Sequence, residues 1–122
     1  MNISIEIPSI RYFVRAYRAG EIILNQGSYA HSILLRPDAV ASWRPEQLAA
    51  VELSDIEILI GYQPKLVLLG TGLKHRFPDP ALLAPLYRAG IGVEVMATEA
   101  ACRTYNLLAD EGRHVLAALI SH

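Results

Sequence analysis

The residues with most capacity for chemistry sit where a short apolar run ends. Lys65 to Leu69 reads as a strand that stops at Gly70-Thr71-Gly72, and Lys74, His75 and Arg76 follow almost at once. At the carboxyl end of a parallel strand, amides freed of side chains can cradle an anion, and neighbouring positive charge strengthens the hold. A phosphate, a carboxylate or an acidic side chain fits that chemistry. A dinucleotide fits it poorly, because the third glycine and the helix that should open directly after the loop are missing. Glu94 lies at about the distance of an acidic ribose reader, yet it falls inside a strand instead of at its end. The competing reading is structural: the glycines supply positive φ for a tight exit, and the basic side chains are solvated.

Cys102 is the only thiol. A helix opening at Thr98 places it in the first turns, where the helix dipole lowers a thiol pKa, and Glu94 or Asn106 could assist a thiol-dependent enzyme. Against this, no histidine is near in sequence, and a lone cysteine commonly serves as a small buried hydrophobe. Asn106, one turn further on, suits a residue that satisfies the backbone of a loop. Glu94 interrupts an otherwise apolar strand and reads either as an exposed or ion-paired structural residue or as a buried charge; buried, its carboxylate would need a partner, and Arg113 is the candidate. No catalytic residue is assigned. His31, His75, His114 and His122 have no metal-ligand spacing, and there is no HExxH helix or acidic calcium loop, so neither a metal nor another cofactor is predicted. Neither Ser28 nor Ser32 sits in a nucleophile elbow.

The elements that carry these residues follow from pattern. At 122 residues, 52% hydrophobic and with a net charge of −1, the chain fits a single α/β domain without a basic surface for nucleic acid. Residues 1–45 read as an antiparallel meander. Ile10, Tyr12, Val14 and Ala16 share one face of a first strand; Ala19-Gly20 turns into Glu21 to Leu24, Asn25-Gln26-Gly27 into Tyr29 to Leu35, and Val40 to Trp43 makes a fourth. Residues 46–122 alternate between helix and strand. A helix near 55–62 with Ser54 as N-cap leads to a strand at 65–69, a helix within 80–89, a strand at 91–96, a helix at 99–111 and a strand at 114–120. Asp79-Pro80 and Gly90 bracket the second helix, with Pro85 as a kink or a late start; Thr98 caps the third, and Gly112 ends it. The direction of the last strand is left open. The architecture predicted is a three-layer α/β domain: a mixed central sheet, flanking helices, and an N-terminal antiparallel strand layer.

No apolar run approaches the roughly 20 residues of a bilayer span, so no membrane insertion is expected. Residues 1–8 have neither a signal core nor an Arg-rich leader, and the cytoplasm is the expected location. Unpaired strand edges in the N-terminal part leave homo-oligomers open.

Thr98 to Arg113 fits the pattern T-x-x-A-x-x-x-Y-N-x-L-x-x-E-G-R, and Ala117-Ala118-Leu119-Ile120 follows it. With Leu69-Gly70-Thr71-Gly72 and Gly90 to Val95, these residues resemble a small domain family of unassigned biochemical activity, one member of which is a mitochondrial assembly factor for respiratory complex I. The resemblance covers most of residues 28 to 122. It implies the three-layer fold and brings no catalytic residues with it. The function expected is non-catalytic binding of a protein partner through Gly70, Thr71, Gly72, Lys74, Arg76, Thr98, Cys102 and Asn106. The alternative is a small anionic metabolite or nucleotide phosphate at the glycine loop; a weaker one is thiol chemistry at Cys102.

Overall fold

The computed structural model describes residues 10–122. It holds a three-stranded antiparallel sheet, β1 (Val14–Arg18), β2 (Glu21–Leu24) and β3 (Gly27–Tyr29), and a five-stranded mixed sheet. The larger sheet comprises β4 (Ile33–Arg36), β5 (Ala39–Ser42), β6 (Leu66–Gly70), β7 (Gly92–Met96) and β8 (Val115–Leu119), in the order β5-β4-β8-β6-β7. The helices are α1 (Leu53–Gly61), α2 (Pro80–Arg88) and α3 (Thr98–Asp110), with a 3-10 turn at Leu48–Ala50.

The large sheet is covered on both faces at its centre, so β6 and β8 are apolar at every position. In β8 Val115, Ala117 and Leu119 face one core, and Leu116 and Ala118 face the other. The first core lies under α3 and the small sheet, with Leu68, Ala101, Tyr105, Ile22 and Leu24. The second lies under α1 and α2, with Trp43, Ile56, Leu59, Val67, Leu69 and Leu86. Three layers result, as the pattern predicted. The last strand runs parallel to β6 and antiparallel to β4, at the centre of the sheet.

Several local expectations fail for physical reasons. Tyr29 to Leu35 is two strands in different sheets: the chain bends at residues 30–32, where Ser32 turns its side chain to Ser121 and its carbonyl to the Trp43 amide. The predicted strand layer therefore stops at Tyr29, and β4 and β5 join the central sheet. In β1 the pairing shifts between Val14 and Ala16. This bulge turns Ala16 outward and Tyr17 toward the core. Pro85 lies inside α2, which starts at Pro80 behind an Asp79 side chain that accepts the Ala81 amide at 2.9 Å. Thr98 is the first residue of α3 and not its cap; Ala97 occupies that position without a side-chain bond.

Ser54 is not the cap of α1 either. Glu52 caps it reciprocally with Asp55, whose Oδ2 accepts the Glu52 amide at 2.8 Å. Asp55 is buried, and Arg44 grips it at both oxygens, with Nε 2.9 Å from Oδ1 and a terminal nitrogen 2.6 Å from Oδ2. The Arg44 bonds hold the Asp55 carboxyl below its ordinary pKa against the opposing effect of burial, and the Glu52 amide adds to them. Because the folded value is depressed, this stabilisation is present above about pH 4 and is lost as pH falls through the folded value. Asp55→Asn should lower unfolding free energy by about 1–2 kcal/mol at pH 7, and denaturation curves of wild type and variant should converge on acidification. A difference that stays constant down to pH 2 would remove the charge argument.

Candidate functional site

The glycine loop does leave β6 at its carboxyl end, but its amides are already engaged. The Thr71 amide donates to the Met96 carbonyl at 2.8 Å, and the Gly72 amide donates to Thr98 Oγ1 at 2.8 Å. Thr98 is fully buried; its hydroxyl donates in turn to the Ile120 carbonyl at 2.7 Å, and its amide donates to the Gly72 carbonyl at 2.9 Å. An amide cradle for an anion, as expected at Gly70, Thr71 and Gly72, is thus closed by the chain itself. The glycines answer to close packing. A Cβ on Gly70 would lie 2.9 Å from Thr98 Oγ1 and 3.0 Å from its Cα, and one on Gly72, at φ +99°, would lie 2.5 Å from the His122 carbonyl oxygen.

Open α/β sheets bind ligands where connections from adjacent strands diverge. Here β6 and β8 are neighbours, with α2 and α3 on opposite faces of the sheet. Residues 120–122 fill the space beyond their carboxyl ends. The Ile120 amide donates to the Gly70 carbonyl at 3.0 Å, the Ser121 amide to Ser32 Oγ at 2.9 Å, and the His122 amide to the Glu46 carbonyl at 3.2 Å. The Ser121 carbonyl accepts the Gly20 amide and the Tyr17 hydroxyl.

What remains open is the loop beyond the glycines. Leu73, Lys74, His75, Arg76 and Phe77 are all exposed, with Leu73 at 62% and Phe77 at 75%. The loop is nonetheless pinned: Thr71 Oγ1 donates to the Lys74 carbonyl at 2.6 Å and accepts the Arg76 amide at 3.2 Å, and Pro78 is buried. A cleft of about 310 Å3 runs beside it, lined by Gln47, Leu48, Leu73, Lys74, Arg76 and His122 among others. Among the described residues neither Lys74 nor Arg76 has an ion-pair partner.

The family model described as "Protein of unknown function (DUF498/DUF598)" matches residues 14–120. The chain belongs to this family. It is 32% identical over 110 residues to the "13 kDa major membrane protein" of Francisella tularensis, covering 88% of this chain and 89% of that one. It is 29% identical over 110 residues to "NADH dehydrogenase [ubiquinone] 1 alpha subcomplex assembly factor 3" of Xenopus tropicalis, covering 88% of this chain and 60% of that protein. Among solved structures, a crystal structure from Bordetella parapertussis is 40% identical, with a TM-score of 0.83 over 89% of this chain and 94% of that one.

In this DUF498/DUF598 member the helix pattern seen in the sequence has a structural account. Asn106 brackets β1, with Oδ1 accepting the Val14 amide at 2.9 Å and Nδ2 donating to its carbonyl at 2.8 Å. The Tyr105 hydroxyl donates to the Tyr12 carbonyl at 2.7 Å. Gly112, at φ +75°, ends the helix in the left-handed conformation that favours glycine. Cys102 lies in the core at 4% exposure, and burial pushes its thiol up to about 12, so the dipole does not activate it. Glu94 and Arg113 are both exposed and form no pair; β7, which carries Glu94, is an edge strand. They are not a buried charge couple.

Ser32, Ser121 and His122 form a polar cluster that sequence reasoning passed over. Ser121 Oγ lies 3.3 Å from Ser32 Oγ and 3.1 Å from His122 Nδ1. A serine beside a histidine suggests a nucleophile, but Ser121 is fully buried and its neighbours are structural. A wider groove of about 770 Å3, lined by Arg36, Tyr62, Gln63, Arg113 and His114 among others, opens among the loops that precede β6 and β8. Among the described residues there is no group of three or more His, Cys, Asp or Glu that could hold a metal, and no helix long and apolar enough to cross a membrane.

Two expectations follow. Thr98→Val keeps the shape but strands the buried Gly72 amide and Ile120 carbonyl, and should lower stability by about 2–4 kcal/mol. Thr98→Ser keeps the hydroxyl and should lose only about 1 kcal/mol for its methyl group. Equal losses in thermal or urea unfolding would refute the hydrogen-bond account. Cys102 should resist Ellman's reagent at pH 8 in the folded protein and react fully in denaturant; rapid native labelling would reopen the thiol reading.

Proposed function

We propose that this protein works by binding another protein, in the manner of an assembly factor, through the surface around the glycine loop and the start of α3. The observation that carries the reading is the pinned loop that holds Leu73 and Phe77 at 62% and 75% exposure. Large apolar side chains held in water on an ordered loop lose apolar surface when a partner covers them. The space where a cofactor would sit in a related architecture is occupied by residues 120–122. Gly70, Thr71, Gly72 and Thr98 then act as the frame that sets the loop, Asn106 and Cys102 as packing behind it, and Lys74 and Arg76 as contact groups. The Xenopus relative's name, an assembly factor for a multisubunit complex, agrees with this role.

The test is the hydrodynamic state of the protein in extract of its native host. Size-exclusion fractions of cross-linked extract should show the chain in a complex larger than its own 13.4 kDa mass, with one partner recovered in constant ratio across the peak. Elution at the monomer mass, or only as a self-assembly, in every growth condition would sink the proposal.

A further inference from the structure

We infer that the loop from Leu73 to Phe77 and its cleft form a docking site for an acidic, aliphatic peptide segment of a partner protein. This rests on the protein-binding reading above and gives that partner its chemistry. Three features must be met together. Leu73 and Phe77 offer apolar surface on the two flanks of the loop. Lys74 and Arg76 lie between them with no ion-pair partner among the described residues, and His75 stacks at a tilt on Phe77, with ring centroids 4.8 Å apart. The cleft of about 310 Å3 adds Leu48, Gln47 and His122 on the inner side.

A small anionic metabolite could enter the cleft and meet Lys74 and Arg76, but it would leave Phe77, which does not line the cleft, in water and the apolar side chains of Leu48 and Leu73 without an apolar partner. An anionic bilayer could accept Leu73 and Phe77, but a flat surface cannot enter a cleft. An extended peptide meets all three: an aliphatic side chain seats against Leu48 and Leu73, carboxylates reach Lys74 and Arg76, and a second apolar residue covers Phe77. With a net charge of only −1 over the whole chain, the attraction is local and falls off within a Debye length of about 8–10 Å. The loop is ordered before binding by the two Thr71 hydrogen bonds, so little entropy is lost in presenting it.

The experiment is fluorescence anisotropy with a labelled nonapeptide of alternating glutamate and leucine, its lysine–leucine counterpart, and phosphatidylserine-containing vesicles. The acidic peptide should bind saturably and weaken as salt rises. Lys74→Glu/Arg76→Glu should weaken it by about 5- to 30-fold, as two exposed ion pairs would, and should gain binding of the lysine peptide. Leu73→Ser/Phe77→Ser should lose at least about tenfold through its apolar contacts. All four positions are exposed, so melting temperatures should stay close to wild type and confirm folding. Equal binding of both peptides, wild-type binding by the charge-reversed variant, or binding of vesicles without peptide would overturn the inference. In native extract, a complex that survives Lys74→Glu/Arg76→Glu also overturns it while leaving the protein-binding reading intact. Loss of that complex on charge reversal supports both.

Discussion

One buried hydroxyl holds the carboxyl end of the sheet together. Thr98 Oγ1 accepts from the Gly72 amide and donates to the Ile120 carbonyl, while its own amide donates to the Gly72 carbonyl. It thereby joins the exit of β6, the exit of β8 and the first residue of α3, three segments far apart in the chain. In a fully buried place each of these groups would cost about 1–3 kcal/mol if left unpaired, so the geometry of all three is set by one side chain. The glycines follow from the same contact. Gly70 has no room for a Cβ because Thr98 packs on it, and Gly72 takes φ +99° with the His122 backbone against it. A loop that looks like a ligand cradle in sequence is a packing joint in the fold.

That joint decides what kind of site the protein can offer. With the strand-end amides paired internally and residues 120–122 bonded across the strand ends, the backbone of the glycine loop is not free to hold a ligand, and the cleft beside it is lined by side chains instead. Binding capacity moves outward to side chains on the far side of the joint. Burial likewise argues against an activated thiol at Cys102: the group is pushed up to about 12, which favours its protonated form near neutral pH. It fills space between α3 and the sheet beside Ala101 and Tyr105.

The layer architecture was legible because its signals are local and repeated. Apolar runs of strand length, helix periods between them, Asp79-Pro80 at a start and Gly112 at an end predict the elements after residue 46 within a residue or two, whereas the first strand begins at Val14 and not at Ile10. What sequence did not reveal depends on distant partners. Ser32 breaks the expected strand at 29–35 because Ser121, 89 positions away, takes its side chain. The cap of α1 belongs to Glu52 because Asp55, buried and held by Arg44, accepts its amide, which leaves Ser54 two residues too late. Thr98 was expected to cap α3, since a threonine before Glu99 fits a cap pattern, yet its hydroxyl is used across the sheet. Glu94 could be read either as an exposed strand residue or as a buried charge because its neighbours are apolar, and the fold settles it as exposed on β7, an edge strand. A charge at that position discourages another strand from pairing there.

The loop beyond the joint inherits its order from the same frame. Thr71 is buried, with its amide in the β7 ladder through Met96, so its side chain has a fixed position relative to the sheet. From there its hydroxyl serves both the Lys74 carbonyl and the Arg76 amide. A hydrophobic flank on each side of two cations is thus held by hydrogen bonds from the Thr71 side chain to the loop backbone instead of by burial of its own side chains. Such a loop meets a partner without first having to order itself, which reduces the entropy lost on association. The exposed pair Leu73 and Phe77 would be an aggregation hazard on a loose segment. Flanking two basic residues and held in place by the Thr71 bonds, it is instead a defined exposed patch. The rigidity of the strand end and the exposure of the loop are therefore one property: the internal bonds that close the amide cradle also set the surface a partner would meet.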